Sequence, residues 1–274
     1  MPDKSALGDR MKLYEGMEAK RMLMPKLPVL ARIDGKKFSK FTKGLERPYD
    51  KRLSDLMVKV SKLLVEEYGA LISYTQSDEI SLVLYSDSLD SQLPFNGRIQ
   101  KILGDMTAFT TLHFNRLLPE YLPQEYVERY PRFDCRVWNV PTLEEAANVF
   151  LWRELDATKN SISMAAQHYF SHKALQGRNG GEMQEMLMGM KGVNWNDYPP
   201  FFKRGTFVRR ITVGRKYTRK ELFNLPEKHE ARTNPDLIVT RQDTIRVSMP
   251  IFKKVINRVG VIFNDEEPLI EDKF

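Results

Sequence analysis

Two aspartates frame the chemistry this chain could do. Asp34 closes the apolar run 27–34, LPVLARID, and is followed by Gly35, Lys36 and Lys37, while Asp78 stands in the polar link Gln76-Ser77-Asp78-Glu79 between two apolar runs. A pair of aspartates with an open solvent side suits Mg²⁺, a hard cation that keeps several waters and binds through one or two carboxylates plus substrate phosphates. Two such ions can clamp the attacking and leaving oxygens of a displacement at phosphorus. Gly35 lets backbone approach a phosphate, and the adjacent lysines bring positive charge to it, which together make a triphosphate cradle. Arg98 and Lys101, three apart on one helix face, could reach the same phosphates. Each feature also has a plain structural reading, since Asp-Gly is a common turn dipeptide and two cations on a helix make an ordinary solvated surface. Residue type and spacing leave both readings open. Glu79 points away from Asp78 if the backbone there is extended, and is a ligand only if the turn bends.

The elements that must position these groups follow from the hydrophobic pattern. A short buried strand over 27–34 delivers Asp34 at its end. Leu53, Leu56, Met57, Val60, Leu63 and Leu64 repeat on one face of a helix over 50–68, with Asp50 placed to cap it. Strands over 70–75 and 80–85 form a hairpin whose turn holds Ser77 and Asp78. A helix over 97–118, a strand over 133–140 and a helix opening at Thr142 with the capping sequence TLEE complete the order β-α-β-β-α-β. That order predicts an α+β, ferredoxin-like sheet of four antiparallel strands with two helices on one face, in which the strands ending at Asp34 and Asp78 lie side by side. A helix over 11–24 precedes it. A soft boundary near residue 141 separates residues 1–141 from an extension over 142–274. There a helix is expected to run on to about 174, followed by a Met-rich helix within 177–192, a basic tract and a strand over 237–249.

Composition excludes several classes. With 274 residues, 42% hydrophobic and 29% charged, the chain can bury a core and is too apolar for disorder. The single cysteine, Cys135, rules out an internal disulfide and a cysteine-based zinc cluster, which fits a reducing cytoplasm. No apolar run reaches the roughly 20 residues a membrane helix needs, and the first residues lack a signal-peptide core. The net charge of +7 favours a polyanionic partner.

Longer motifs carry a resemblance. RIDGKKFSKF at 32–41, SYTQSDEISLVLY at 73–85, FDCRVWNVPT at 133–142, LWRELD at 151–156 and FFKRGTFV at 201–208 resemble, in order, the tRNA-His guanylyltransferase superfamily and its tRNA 5′-end repair relatives. The resemblance implies a palm of the polymerase and cyclase type. It implies growth of RNA in the 3′-to-5′ direction, with ATP activating the 5′-monophosphate of tRNA before the 3′-hydroxyl of GTP or another nucleoside triphosphate attacks it. Carried over residue by residue, Asp34, Asp78 and the Gly35 carbonyl would hold two Mg²⁺ ions, with Glu79 in the same motif. Lys36, Lys37, Phe38 and Ser39 match the loop around the nucleotide, Ser77 and Asp50 positions near it, Arg47 a basic position, and Arg98 and Lys101 the residues facing a second triphosphate. The resemblance also implies a homotetramer.

One departure bears on the substrate. Trp152-Arg153 is followed by ATKNSISMAAQ, with Thr158 where the eukaryotic signature has histidine and Asn160 retained, which points to the template-dependent repair group rather than strict tRNA-His recognition. A cyclase or dinucleotide synthase on the same palm is opposed by QSDEI in place of a GGDEF-type turn, and a catalytically inactive RNA-binding palm by intact Asp34, Gly35 and Asp78. His168 and His172, four apart, could present two imidazoles on one helix, but without a third ligand the surface or RNA-facing reading is favoured. Met183, Met186, Met188 and Met190 suit packing or a subunit contact. Arg209-Arg210, Arg215-Lys216 and Arg219-Lys220, interleaved with Phe207 and Tyr217, suit an RNA backbone once the resemblance is considered.

Overall fold

The computed structural model describes residues 6–88, 92–234 and 236–270. Its elements in chain order are α1 (Ala6–Ala19), β1 (Val29–Lys36), α2 (Phe38–Phe41), α3 (Lys51–Tyr68), β2 (Ile72–Gln76), β3 (Glu79–Leu84), α4 (Ile99–Tyr121), α5 (Gln124–Val127) and β4 (Arg132–Asn139). There follow α6 (Leu143–Tyr169), α7 (His172–Leu175), α8 (Gly180–Lys191), α9 (Pro200–Arg204), β5 (Thr206–Lys216), α10 (Arg219–Asn224), α11 (Glu230–Thr233), β6 (Ile238–Val247) and α12 (Arg258–Phe263).

All six strands join one antiparallel sheet in the order β4-β1-β3-β2-β5-β6. The first four have the 4-1-3-2 order of a ferredoxin-like unit, so β1 and β3, the strands flanking the two aspartates, are neighbours at its centre. Alternation along the strands sorts side chains between two cores. Ala31, Ile33, Ile80, Leu82 and Val137 pack against Leu56, Met57, Val60 and Leu64 of α3 and Ile102, Met106 and Phe114 of α4. Leu30, Ile72, Tyr74, Val83 and Phe207 on the other face pack against Ala146, Ala147, Phe150 and Ala157 of α6. The far half of α6 builds a third core with α7, α8 and α9 through Ile162, Ala165, Leu175, Leu187, Trp195 and Phe202. The sheet therefore runs past the four strands into the extension, because β5 pairs with β2 from Thr206 to Arg209 before continuing with β6 alone.

Several expectations are corrected. The first helix occupies Ala6–Ala19 rather than 11–24, because Met22 bridges to Arg98 and the Leu23 amide donates to the Gly97 carbonyl at 2.8 Å, which draws the chain out of helix. Thr142 accepts from the Glu145 amide at 3.2 Å and caps α6 as expected. That helix stops at Tyr169, where Phe170 turns extended and Ser171 caps α7, so His168 and His172 belong to different helices and share no face. The basic tract is mostly strand β5. Asp50 caps α3 by accepting from the Arg52 amide at 3.0 Å.

Candidate active site

The two aspartates meet where β1 ends and the β2–β3 hairpin turns. Strand β1 runs two residues beyond Asp34, and the Gly35 amide donates to the Asp78 carbonyl at 3.1 Å. Ser77 takes a left-handed conformation, φ 54°, which makes the tight turn and leaves its hydroxyl 3.0 Å from Asp78 Oδ1. A Cβ on residue 35 would sit 2.7 Å from Asp78 Oδ2 and 2.3 Å from the Phe38 ring, so only glycine admits both neighbours. Burial, then the Asp34 charge, pushes the Asp78 carboxyl up to about 6. Asp34 is likewise raised, first by burial and then by Asp134.

Register explains the company Asp34 keeps. It stands opposite Glu79 on β3 and Asp134 on β4, which puts three carboxylates in a row on one sheet face. Two residues along in one direction, Lys36 faces Arg132; two residues the other way, Arg32 faces Arg136. The acidic row is thus bracketed by two basic ones. Glu79 does not point away from Asp78 as an extended backbone would require, because Asp78 lies in the turn and escapes the alternation. Both line one cavity of about 400 Å³, with Asp34, Arg153, Asp156 and Asn160 among its other walls.

Glu79 is already paired, and the aspartates are not. Its Oε1 accepts from Arg153 Nε at 2.6 Å, and its Oε2 lies 3.9 Å from Arg32 Nε. Burial nonetheless holds its carboxyl above the usual range, against the lowering effect of Arg153. The Arg153–Glu79 pair ties α6 to the start of β3, and within α6 Arg153 also reaches Asp156 at 2.9 Å while Asn160 donates to Asp156 at 3.2 Å. Among the described residues neither Asp34 nor Asp78 has a cationic side chain in ion-pair range. Two carboxylates without an ion-pair partner beside the Gly35 backbone match the donors of a divalent cation, although Arg32, Arg136 and Arg153 act on Asp34 from a distance. Among the described residues no three His, Cys, Asp or Glu side chains converge, so such an ion would complete its shell with the glycine carbonyl, water and substrate.

A second pocket opens beyond the hairpin, sharing Gln76, Ser77 and Met164 with the first and walled by Leu45, Arg47, Pro48, Tyr49, Asp50, Phe201 and Phe202. Apolar and aromatic walls next to a carboxylate pair suit a base next to its phosphates. Asp50 is held below the usual carboxylate range: burial raises it, but the Arg52 side chain and the backbone amides of Arg52 and Glu46 more than offset this. Lys36, Lys37 and Ser39 are exposed just after Asp34 and Gly35 and line neither pocket, and Lys37 is left-handed at φ 55°. Phe38 packs its ring on Phe41, Phe114 and Phe133, which leaves only its backbone to a ligand. Arg98 and Lys101 are not brought to this site within one chain. Arg98 precedes α4 beside Met22, and α4 reaches the Phe133 end of β4 only near Thr111. Thr158 donates back to the Glu154 carbonyl at 2.9 Å within α6 and does not line the cavity, whereas Asn160 does.

Sequence reasoning misses Asp134, Arg32, Arg136 and Asp156. The signal lies in the alternation of β4, where Asp134 and Arg136 interleave with buried Phe133, Cys135 and Val137, but their place beside Asp34 depends on a strand pairing about a hundred residues apart.

An open palm sheet with a carboxylate pair at its central turn and a base-sized pocket alongside defines a nucleotide-handling enzyme. The profile of the tRNAHis guanylyltransferase family matches residues 8–141. The tRNA(His) guanylyltransferase of Saccharomyces cerevisiae is 30% identical over 209 residues, 70% of this chain and 86% of the yeast protein. A bacterial tRNA(His) guanylyltransferase-like protein in complex with ATP superposes with a TM-score of 0.70 at 41% identity, over 74% of this chain and 88% of that one. A bacterial relative in complex with GTP superposes at 0.68 with 32% identity, over 91% and 95%. The chain belongs to the tRNAHis guanylyltransferase family, and is a nucleotidyltransferase. No helix among the described residues is long and apolar enough to cross a membrane.

Proposed function

We propose that this enzyme adds nucleotides to the 5′ end of tRNA in the 3′-to-5′ direction, after ATP activates the 5′-phosphate. The observation that carries the reading is the Asp34–Gly35–Asp78 constellation, with two carboxylates that hold no ion pair among the described residues, beside a pocket with apolar and aromatic walls suited to a base. Asp34, Asp78 and the Gly35 carbonyl would hold Mg²⁺, which when bound polarises phosphoryl oxygens and stabilises charge on the oxygens that attack and leave.

The chain's own groups account for the rest. Leu45, Pro48, Tyr49, Phe201 and Phe202 shield the base from water, and Arg47 and Asp50 stand at its rim. Lys36 and Lys37 draw the triphosphate toward the acidic row, and Ser39 offers a hydroxyl beside them. Arg153 pairs with Glu79, so that this third carboxylate of the cavity carries its own countercharge as the phosphates enter. Both steps displace a group at phosphorus, so one site serves activation and addition.

Thr158 in place of the family's histidine supports addition of NTPs opposite a template in 5′-truncated tRNAs over guanylylation of tRNA-His alone. Arg98 and Lys101, placed away from the aspartates of their own chain, fit a second triphosphate in a homotetramer acting in the cytoplasm. The test is transfer of label from α-labelled ATP to 5′-monophosphorylated tRNA. Label that requires Mg²⁺ and disappears in Asp34→Ala supports the reading; undiminished label in that variant contradicts it.

A further inference from the structure

The base pocket has two walls of different construction. On one side Phe201 and Phe202 hold Tyr49, whose ring centroid lies 5.2 Å and 4.9 Å from theirs. The other side is the loop that follows α2, from which Thr42, Leu45, Glu46 and Arg47 line the cavity. Inside this segment the Thr42 amide donates to the Phe38 carbonyl at 2.9 Å and the Leu45 amide to the Thr42 carbonyl at 3.1 Å. The carbonyls of Phe41 and Lys43 are met from outside it. One nitrogen of the Arg129 guanidinium, Nη1, donates to both, at 2.6 Å and 2.7 Å.

Arg129 is itself held in place. It stands two residues past the end of α5, and its guanidinium lies 4.1 Å from the centroid of the Tyr126 ring, a cation–π contact that sets the direction of the fork. Tyr126 is buried and packs edge-on against Phe41, with ring centroids 6.1 Å apart. Gly44 admits the Tyr126 hydroxyl: its φ is 96°, and a Cβ there would stand 3.0 Å from that oxygen. Ring, guanidinium and loop backbone thus form one stack behind the pocket wall. Neither Arg129 nor Tyr126 lines the base pocket or the acidic cavity, so both act on a ligand only through the loop. A wall already ordered before the ligand arrives spares binding the entropy of ordering it.

We propose that Arg129 is a positioning residue for the incoming nucleotide, which holds the Phe41 and Lys43 carbonyls so that the loop wall stands ready for the base. The inference rests on the reading of this pocket as the base site. The triphosphate, drawn to Asp34, Gly35 and the two lysines, gains nothing from the clamp.

The test titrates the full-length protein calorimetrically, in Mg²⁺, with GTP, with ATP and with inorganic tripolyphosphate. Arg129→Ala should bind both nucleotides about tenfold more weakly and tripolyphosphate as the wild type does. In nucleotide addition the same variant should raise KM for the NTP and keep kcat. Hydrogen exchange at the Thr42 and Leu45 amides should quicken by about tenfold in Arg129→Ala while the amides of α3 keep their protection. Unchanged protection of those two amides, wild-type affinity for GTP, or an equal loss on tripolyphosphate would overturn the assignment. Failure of the wild-type protein to add nucleotide to any RNA would sink the proposed function instead, and the exchange and binding comparisons would still decide this one.

Discussion

The carboxylate of Asp78 lies directly against the backbone of Gly35, so close that a Cβ at position 35 would stand 2.7 Å from Asp78 Oδ2. Gly35→Ala forces the hairpin turn away from β1 and the Phe38 ring out of its packing. Displacement of reacting groups by about 1 Å costs roughly a hundredfold in rate, and that loss in kcat is expected in steady-state nucleotide addition while circular dichroism stays that of the wild type.

Asp78 is costly to the protein without a ligand, since it is buried and faces the like charge of Asp34. Asp78→Asn removes that repulsion. Its Tm in EDTA should exceed that of wild type, whereas the rise in Tm on adding Mg²⁺ seen in wild type should vanish, along with activity. A Mg²⁺ shift of normal size in Asp78→Asn would remove Asp78 from the metal site.

Arg153 and Glu79 act as a unit. With both side chains largely buried, Arg153→Ala leaves a carboxylate without its partner and should cost about 3 kcal/mol. The double variant Arg153→Ala/Glu79→Gln should recover part of that in urea unfolding, and additive losses would show the pair is not coupled.

Asp50 illustrates how far the fold can be read in advance. The capping of α3 and its buried stripe of Leu56, Met57, Val60 and Leu64 are local and periodic, and both are found where periodicity puts them. The acidic row is not local: Asp134 reaches Asp34 only through the register of β4 on β1, which no short window contains. The tract 209–216 reads by charge as a basic stretch, yet its alternation places it in β5, where Arg209 is buried and bonded to the Val261 carbonyl. Helix α1 is misplaced along the chain because residues 22 and 23 satisfy their backbone with residues 97 and 98.

Loss of the Asp50 cap, by Asp50→Ala, should cost about 1 kcal/mol. Because its folded-state pKa is depressed, the stability it contributes is fully present above the unfolded value of 3.8 and is lost as pH falls through the lower folded value. The difference between wild type and variant in urea titrations should therefore be constant from pH 5 to 8 and shrink below about pH 4.

The most direct test of the account offers the purified protein, with Mg²⁺, ATP and each NTP in turn, a radiolabelled 5′-monophosphorylated tRNA lacking its first nucleotide, and maps the 5′ end of the product. The account predicts addition of the nucleotide that pairs with the 3′ strand, abolished in Asp34→Ala. Addition that persists in Asp34→Ala, or no addition by the wild-type protein to this RNA or to tRNA-His, would contradict it.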